Sequence, residues 1–483
     1  MLRAGAAALQ AGVYADAVPA VANVLRDHHA NARLWQLLGL LHRNLEDLAP
    51  AVEAFAKAAE LLPDDPMIAH ARACVCFEAG LPAAHLFERA LRLCPPDRSI
   101  LLRHAAAQIA EGQSEAAVAS IQQELLRSPT WIEGHAALAR VRWTGGEHEE
   151  FTGSFEQALR AAPREVALWR AYIETLLNAQ LHERVLVIVA RARSAAGPHS
   201  SFDAAEAIAM SELGDVEVAG ELFRRVAHVK DVKVVLYYLR FLLRAGHVRE
   251  AADLAEKSAP NDRSHQIWPY LSIAWRLLGD PRWEWLEGDP RFIGVYDISE
   301  TLPPLDALAE RLRALHRTVR HPFDQSLRGG TQTEGHLFPR IDPEIRMLRK
   351  AVVEAVERHI AQLPPPQAGH PLLVQQRAPV RFSGSWSVRL TDGGRHVEHV
   401  HPAGWLSSAL YVALPEVIAS GPKEAGWLSL GEASELGIDL PPIRLVEPKP
   451  GRLVLFPSTM WHGTRPFEAG ERLTVAFDVK RRG

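Results

Sequence analysis

Five prolines, Pro63, Pro95, Pro129, Pro163 and Pro198, punctuate the first half of the 483-residue chain at spacings of 32, 34, 34 and 35. A period of this length means one supersecondary unit copied in tandem, because each copy is too small to bury its own apolar face and must stack on its neighbours. Ahead of the prolines the same residue types return: Phe55 and Ala58, Phe87 and Ala90, Phe155 and Ala158, Val189 and Ala192. Small residues let two helices approach closely, a large one fills the gap to the next copy, and proline stops the second helix. Gly80, Gly112, Gly146, Gly214 and Gly246 fall where the paired helices should turn.

The first clear copy, Trp35, Leu38-Gly39, Ala51, Phe55, Ala58 and Pro63, resembles the tetratricopeptide repeat, and Trp169 repeats the role of Trp35. The array covers residues 1–260 in about seven copies, the outermost degenerate. The resemblance implies an all-α solenoid whose groove holds a protein or peptide; a spacer or dimerisation arm is the alternative. After Pro260 the period fades. Trp268, Trp275, Trp283 and Trp285 share this stretch with two Gly-Asp-Pro turn signals, at 279–281 and 288–290, so residues 261–300 read as an apolar cap and linker.

From residue 301 to 483 the period changes. Leu305, Leu308, Leu312 and Leu315 mark an amphipathic helix over 303–317, and Asp342-Pro343 opens a second helix that runs to about Ile360. Short alternating or apolar runs at 380–390, 406–414, 426–430, 452–456 and 472–477 predict strands. Two helices followed by many short strands predict an α+β domain built on a β-sandwich or small barrel.

The histidines fall where these strands end. The run His396-Val-Glu398-His399-Val-His401-Pro402 is followed sixty residues later by Trp461-His462-Gly463, and then by Arg472. Two histidines at i and i+2 on a strand project from one face, so His399 and His401 can grip one metal ion, with His462 closing the set. Such a set leaves coordination positions open, as in non-haem iron oxygenases. On a regular strand, His396 and Glu398 would face the other way and offer His396, Glu398 and His462 as an exclusive alternative.

Three stretches, Gly330–Gly335, His399–Tyr411 and Pro450–Pro457, together with His462 and Arg472, resemble iron- and 2-oxoglutarate-dependent oxygenases of the branch often found behind tetratricopeptide repeats. The resemblance implies a double-stranded β-helix, or jelly roll, and Fe(II), 2-oxoglutarate and O2 as reactants. Arg472 would bind the far carboxylate of the cosubstrate, Tyr411 would donate a hydrogen bond to it, and a substrate C–H bond would be oxidised. One departure stands out: the usual His-x-Asp or His-x-Glu is His399-Val-His401 in this chain. A three-histidine set is preferred because its motif matches the repeat-associated branch and its loop leads directly to Tyr411. Gln332 and Thr333, between glycines, either line the site or form an ordinary turn. His321, His336 and His370 have no partner at ligand spacing.

Charge and composition narrow the alternatives. Lys plus Arg number 54 against 58 Asp plus Glu, so there is no basic excess that would mark a nucleic-acid binder. No run approaches the ~18 apolar residues of a membrane span. The three cysteines, Cys74, Cys76 and Cys94, read as core thiols in a reducing compartment, and the expected location is the cytoplasm. A repeat-bearing glycosyltransferase would need alternating strands and helices, which 372–483 lacks, and zinc hydrolysis would need a general base near His462. The remaining alternative is a non-catalytic repeat scaffold carrying a degenerate oxygenase fold.

Overall fold

The computed structural model describes residues 2–227 and 231–481. The chain divides into two compact units, residues 1–127 with 334–349, and residues 128–333 with 350–483.

The first unit holds paired helices from Leu2–Ala11 to Ser114–Arg127. Helices Leu48–Leu61, Ala84–Leu93 and Ser114–Arg127 each end two residues before a repeat proline. Side chains of Asn31, Asp65 and Asp97 cap the helices that follow, each satisfying backbone N–H groups that the first turn leaves unpaired. Gly39 is required by packing: a Cβ there would come within 2.8 Å of the Phe55 ring. Cys74 and Cys76 are buried among the alanines and Phe87. The segment 334–349 joins this unit through Ile341 N–H donating to the Ala79 carbonyl and Arg349 pairing with Glu46.

The second unit continues the helix pairs from Ile132–Gly145 to Val248–Ser258 and adds the C-terminal domain. Here too Pro163 and Pro198 lie two residues beyond helices Gly153–Ala161 and His182–Ala196. The Trp169 indole donates to the Pro163 carbonyl, and His135 bonds the Pro129 carbonyl in the same way, so a ring six residues past the proline ties each turn to the next helix. The Trp-rich segment forms helix Trp268–Leu278 and a π-helical turn at Glu284–Gly288. Trp275 and Leu286 share one core with helices of the array and with Ala433, Leu436, Ile438 and Trp461 of the C-terminal domain. Trp461 donates to the Pro269 carbonyl and packs edge-on to Tyr270.

Among the described residues nine strands build the C-terminal domain: β1 (Gly294–Asp297), β2 (Leu327–Gln332), β3 (Phe382–His396), β4 (Gly404–Ala413), β5 (Leu428–Leu430), β6 (Arg444–Val446), β7 (Arg452–Pro457), β8 (His462–Thr464) and β9 (Glu471–Lys480). They form two antiparallel sheets, β1-β7-β4-β9-β3-β2 and β6-β5-β8. His399 bridges to His462 and so extends the small sheet by a single residue. Counted with that bridge, the eight elements from β3 to β9 lie 1-8-3-6 in the large sheet and 2-7-4-5 in the small one. This is the winding of a jelly roll. The two inner faces share a core of Tyr411, Val454 and Phe456 with Leu428, Leu430 and Val446. At the edge, β2 is bulged at Arg328–Gly330, and Gly394 lies so close that a Cβ on it would meet the Gly329 carbonyl at 2.2 Å.

The array is held by ring packing: Phe155 is fully buried and stacks on Tyr172 with centroids 5.3 Å apart. Phe155→Ala is expected to destabilise the second unit by about 3–5 kcal/mol, read as a lower urea midpoint. A midpoint unchanged within error would show that this contact is not part of the core.

Candidate metal centre

Strand β3 ends at His396, and the backbone of residues 397–398 leaves the sheet before His399 pairs with His462. That pairing is reciprocal: His399 N–H donates to the His462 carbonyl at 2.9 Å, and His462 N–H to the His399 carbonyl at 3.0 Å. Two residues on, His401 N–H donates to the Ser458 carbonyl at 2.9 Å. The three rings converge, each offering a nitrogen within 4.8 Å of the others. His399 and His401 are half-buried and His462 is buried.

Each ring is turned by its own Nδ1. His399 Nδ1 bonds the Val397 carbonyl at 2.8 Å, and His462 Nδ1 bonds the Met460 carbonyl at 3.0 Å. His401 Nδ1 lies 2.9 Å and 3.0 Å from the two oxygens of Asp478. Carbonyl and carboxylate oxygens only accept, so Nδ1 carries the proton in all three rings and Nε2 keeps its lone pair. Such outer bonds orient histidine ligands and raise their basicity. Electrostatics follow the same division. Burial, then the neighbouring His462 and His401, hold the His399 imidazolium well below its ordinary value, and burial with His401 does the same for His462. Burial would lower His401 too, but Asp478 outweighs it and raises that ring.

The cluster lines a narrow cleft that is partly open to solvent. Arg472, Thr474 and Ala476, alternate residues of β9, form one wall. Arg472 is 2% exposed, and among the described residues no carboxylate pairs with it. Its guanidinium lies over the Tyr411 ring, 5.1 Å from the centroid. Arg472 Nε and the Tyr411 hydroxyl are both buried without a hydrogen-bond partner. A buried cation left unpaired is costly. Tyr411 is fully buried in the core between the sheets, so Arg472, rather than Tyr411, forms the cavity wall.

The alternative trio separates differently from the sequence expectation. His396 lines the same cavity, with its ring 5.7 Å from that of His399, because the break after β3 cancels the strand alternation. Glu398 instead accepts from Ser434 Oγ. Gln332 lines the cavity, whereas Thr333 continues the pairing of β2, with its hydroxyl accepting from Ser387 N–H. His370 is buried and fully bonded, to Trp285 O and the Leu372 and Leu373 N–H groups. Sequence reading missed Asp478, near the end of β9, and Ser326, whose hydroxyl holds His396 Nδ1.

Comparison with known proteins bears on both ends of the chain. Residues 384–478 match the family model described as "Putative 2OG-Fe(II) oxygenase", and residues 32–65 match the tetratricopeptide-repeat model. The chain therefore carries a tetratricopeptide repeat near its N-terminus and a C-terminal domain of the 2OG-Fe(II) oxygenase type. Similar solved structures include a tetratricopeptide-repeat protein from Parabacteroides merdae, at 17% identity over 48% of this chain and 92% of that one, TM-score 0.30. Yeast Tom70 is 16% identical over 57% of this chain and 60% of its own, TM-score 0.36. YrrB, described as a TPR protein with an unusual peptide-binding site, is 16% identical over 38% and 95%, TM-score 0.26. No curated protein matches the chain. Among the described residues no helix is long and apolar enough to cross a membrane.

Histidines away from the cluster set a pH dependence. Burial lowers His316, His321 and His359 to about 4. The unfolded chain then takes up protons first as pH falls, so stability is fullest above about 6.5 and is lost towards about 4. His401, and Glu287 raised by burial to about 7, act in the opposite sense but are outnumbered. The metal-free protein should show a lower urea midpoint at about pH 5 than at about pH 7.5; a higher one would contradict these burials.

Proposed function

We propose that the chain is an Fe(II)- and 2-oxoglutarate-dependent oxygenase whose repeats bring it a protein or peptide substrate. The observation that carries this reading is a single cavity holding three convergent histidines and a buried, unpaired arginine. The donor set fits the metal: three neutral imidazoles aimed inward and held from behind leave further coordination positions open. Iron bound there would supply O2 activation coupled to oxidative decarboxylation of the 2-oxo acid.

The chain's own residues do the rest. His399, His401 and His462 hold the ion through Nε2. Arg472 binds the far carboxylate of the cosubstrate in a charge-assisted pair, made strong by its burial. With three neutral imidazoles as the direct ligands and Arg472 beside them, the cavity favours an anion over a neutral ligand. Phe456, with its ring 4.7 Å from that of His462, shields that ligand's flank from water. The repeats support the partner half of the reading, since such arrays present extended binding surfaces.

Turnover of 2-oxoglutarate to succinate tests the reading. The intact chain should produce succinate only with Fe(II), and His462→Ala should abolish it while the helical circular dichroism stays unchanged. Arg472→Gln should raise the KM for 2-oxoglutarate about 10–100-fold, the loss of a hydrogen bond to a charged group. Undiminished turnover in His462→Ala would overturn the ligand assignment.

A further inference from the structure

Three histidines leave the centre without the carboxylate that the usual pattern places two residues after the first histidine. In this chain that position is His401. Of the three rings, His401 alone is backed by a carboxylate: the acceptors behind His399 and His462 are neutral backbone carbonyls. Asp478 faces it from β9 and is only 9% exposed. Both carboxylate oxygens reach the one ring nitrogen, at 2.9 Å and 3.0 Å. Its Oδ1 also accepts from Ser407 Oγ at 2.6 Å, and Ser407 Oγ in turn accepts from the Ser458 hydroxyl at 3.0 Å. Ser458 closes the circuit, because its carbonyl accepts the His401 N–H.

Three elements therefore fix one carboxylate against one ring. Asp478 comes from β9, Ser407 from β4, and Ser458 from the turn after β7. Nothing about burying an acid inside a sheet calls for this. A neutral Asn could accept from both Ser407 and His401 and would avoid the cost of taking a charge out of water. A carboxylate there makes sense if its charge is used. Directed at the Nδ1–H, it pulls that proton outward and leaves Nε2 the most electron-rich of the three donors.

We propose that Asp478 is a positioning residue that delivers, through His401, the negative charge that a directly ligating carboxylate would otherwise bring to the metal. The inference rests on the three-histidine reading. It makes the centre functionally a two-histidine, one-carboxylate site with the carboxylate moved one residue outward. It also assigns unequal roles to the histidines, with His401 the strongest donor.

The test is metal affinity of the full-length protein, measured with Co(II) under anaerobic conditions by its visible d–d absorption and by competition with a chelator. Wild type should bind one equivalent. Asp478→Asn should fold with an unchanged apo melting temperature, bind Co(II) about 10–100-fold more weakly, and shift the d–d bands. Asp478→Glu should recover part of the affinity. Ser407→Ala, which frees the carboxylate without removing it, should give a smaller loss in the same direction, and it carries the test if Asp478→Asn fails to fold. Affinity and bands that stay at wild-type values in Asp478→Asn, or in Ser407→Ala should that variant be needed, would overturn the proposal. Absence of Co(II) binding in wild type itself would instead overturn the three-histidine reading beneath it.

Discussion

The pair of backbone hydrogen bonds between His399 and His462 is what the rest of the site depends on. The two residues are far apart in the chain, and each lies at the end of a segment that has just left a sheet. Their reciprocal N–H to carbonyl bonds set the two side chains next to one another, with ring centroids 4.2 Å apart. His401 then follows as the next residue whose N–H can reach the turn after β7. Ring orientation is a second, separate matter, fixed by three outward Nδ1 bonds. Backbone pairing gives position, outer acceptors give direction, and together they present three lone pairs to one point.

Charge distribution gives that point its chemistry. Arg472 is buried with no acidic partner among the described residues, and Asp478, the nearby acid, is engaged with His401 and Ser407. The cavity is thus divided along β9. At one end of the strand a cation faces open space, and at the other a carboxylate is bound behind His401. Alternation along a single strand produces this layout, because Arg472, Thr474, Ala476 and Asp478 share a face.

Much of this was readable in the sequence, for identifiable reasons. The repeat prolines mark helix ends because proline cannot continue a helix, and each observed end falls two residues before one. His399, His401 and His462 stand out through their ligand-like spacing, and the structure brings their rings together beside Arg472. Other features were not readable. Strands β6 and β8 are three residues long and carry no period. Strand β2 contains Gly329-Gly330, which reads as a turn, yet these glycines admit the close approach of Gly394 at a bulge. The placement of His396 in the cavity followed from a break in β3 that no alternation pattern encodes. Asp478 was hidden because an acid near the end of a strand looks like a solvent-facing residue until its partner is known.

The central claim is that this cavity chelates a 2-oxo acid on iron. Anaerobic titration of the metal-free protein with Fe(II) and then 2-oxoglutarate tests it most directly, through the weak visible charge-transfer band that such a chelate produces. The account predicts that the band appears, is lost in His399→Ala and survives in Glu398→Ala. Absence of the band at saturating Fe(II) and 2-oxoglutarate would contradict it.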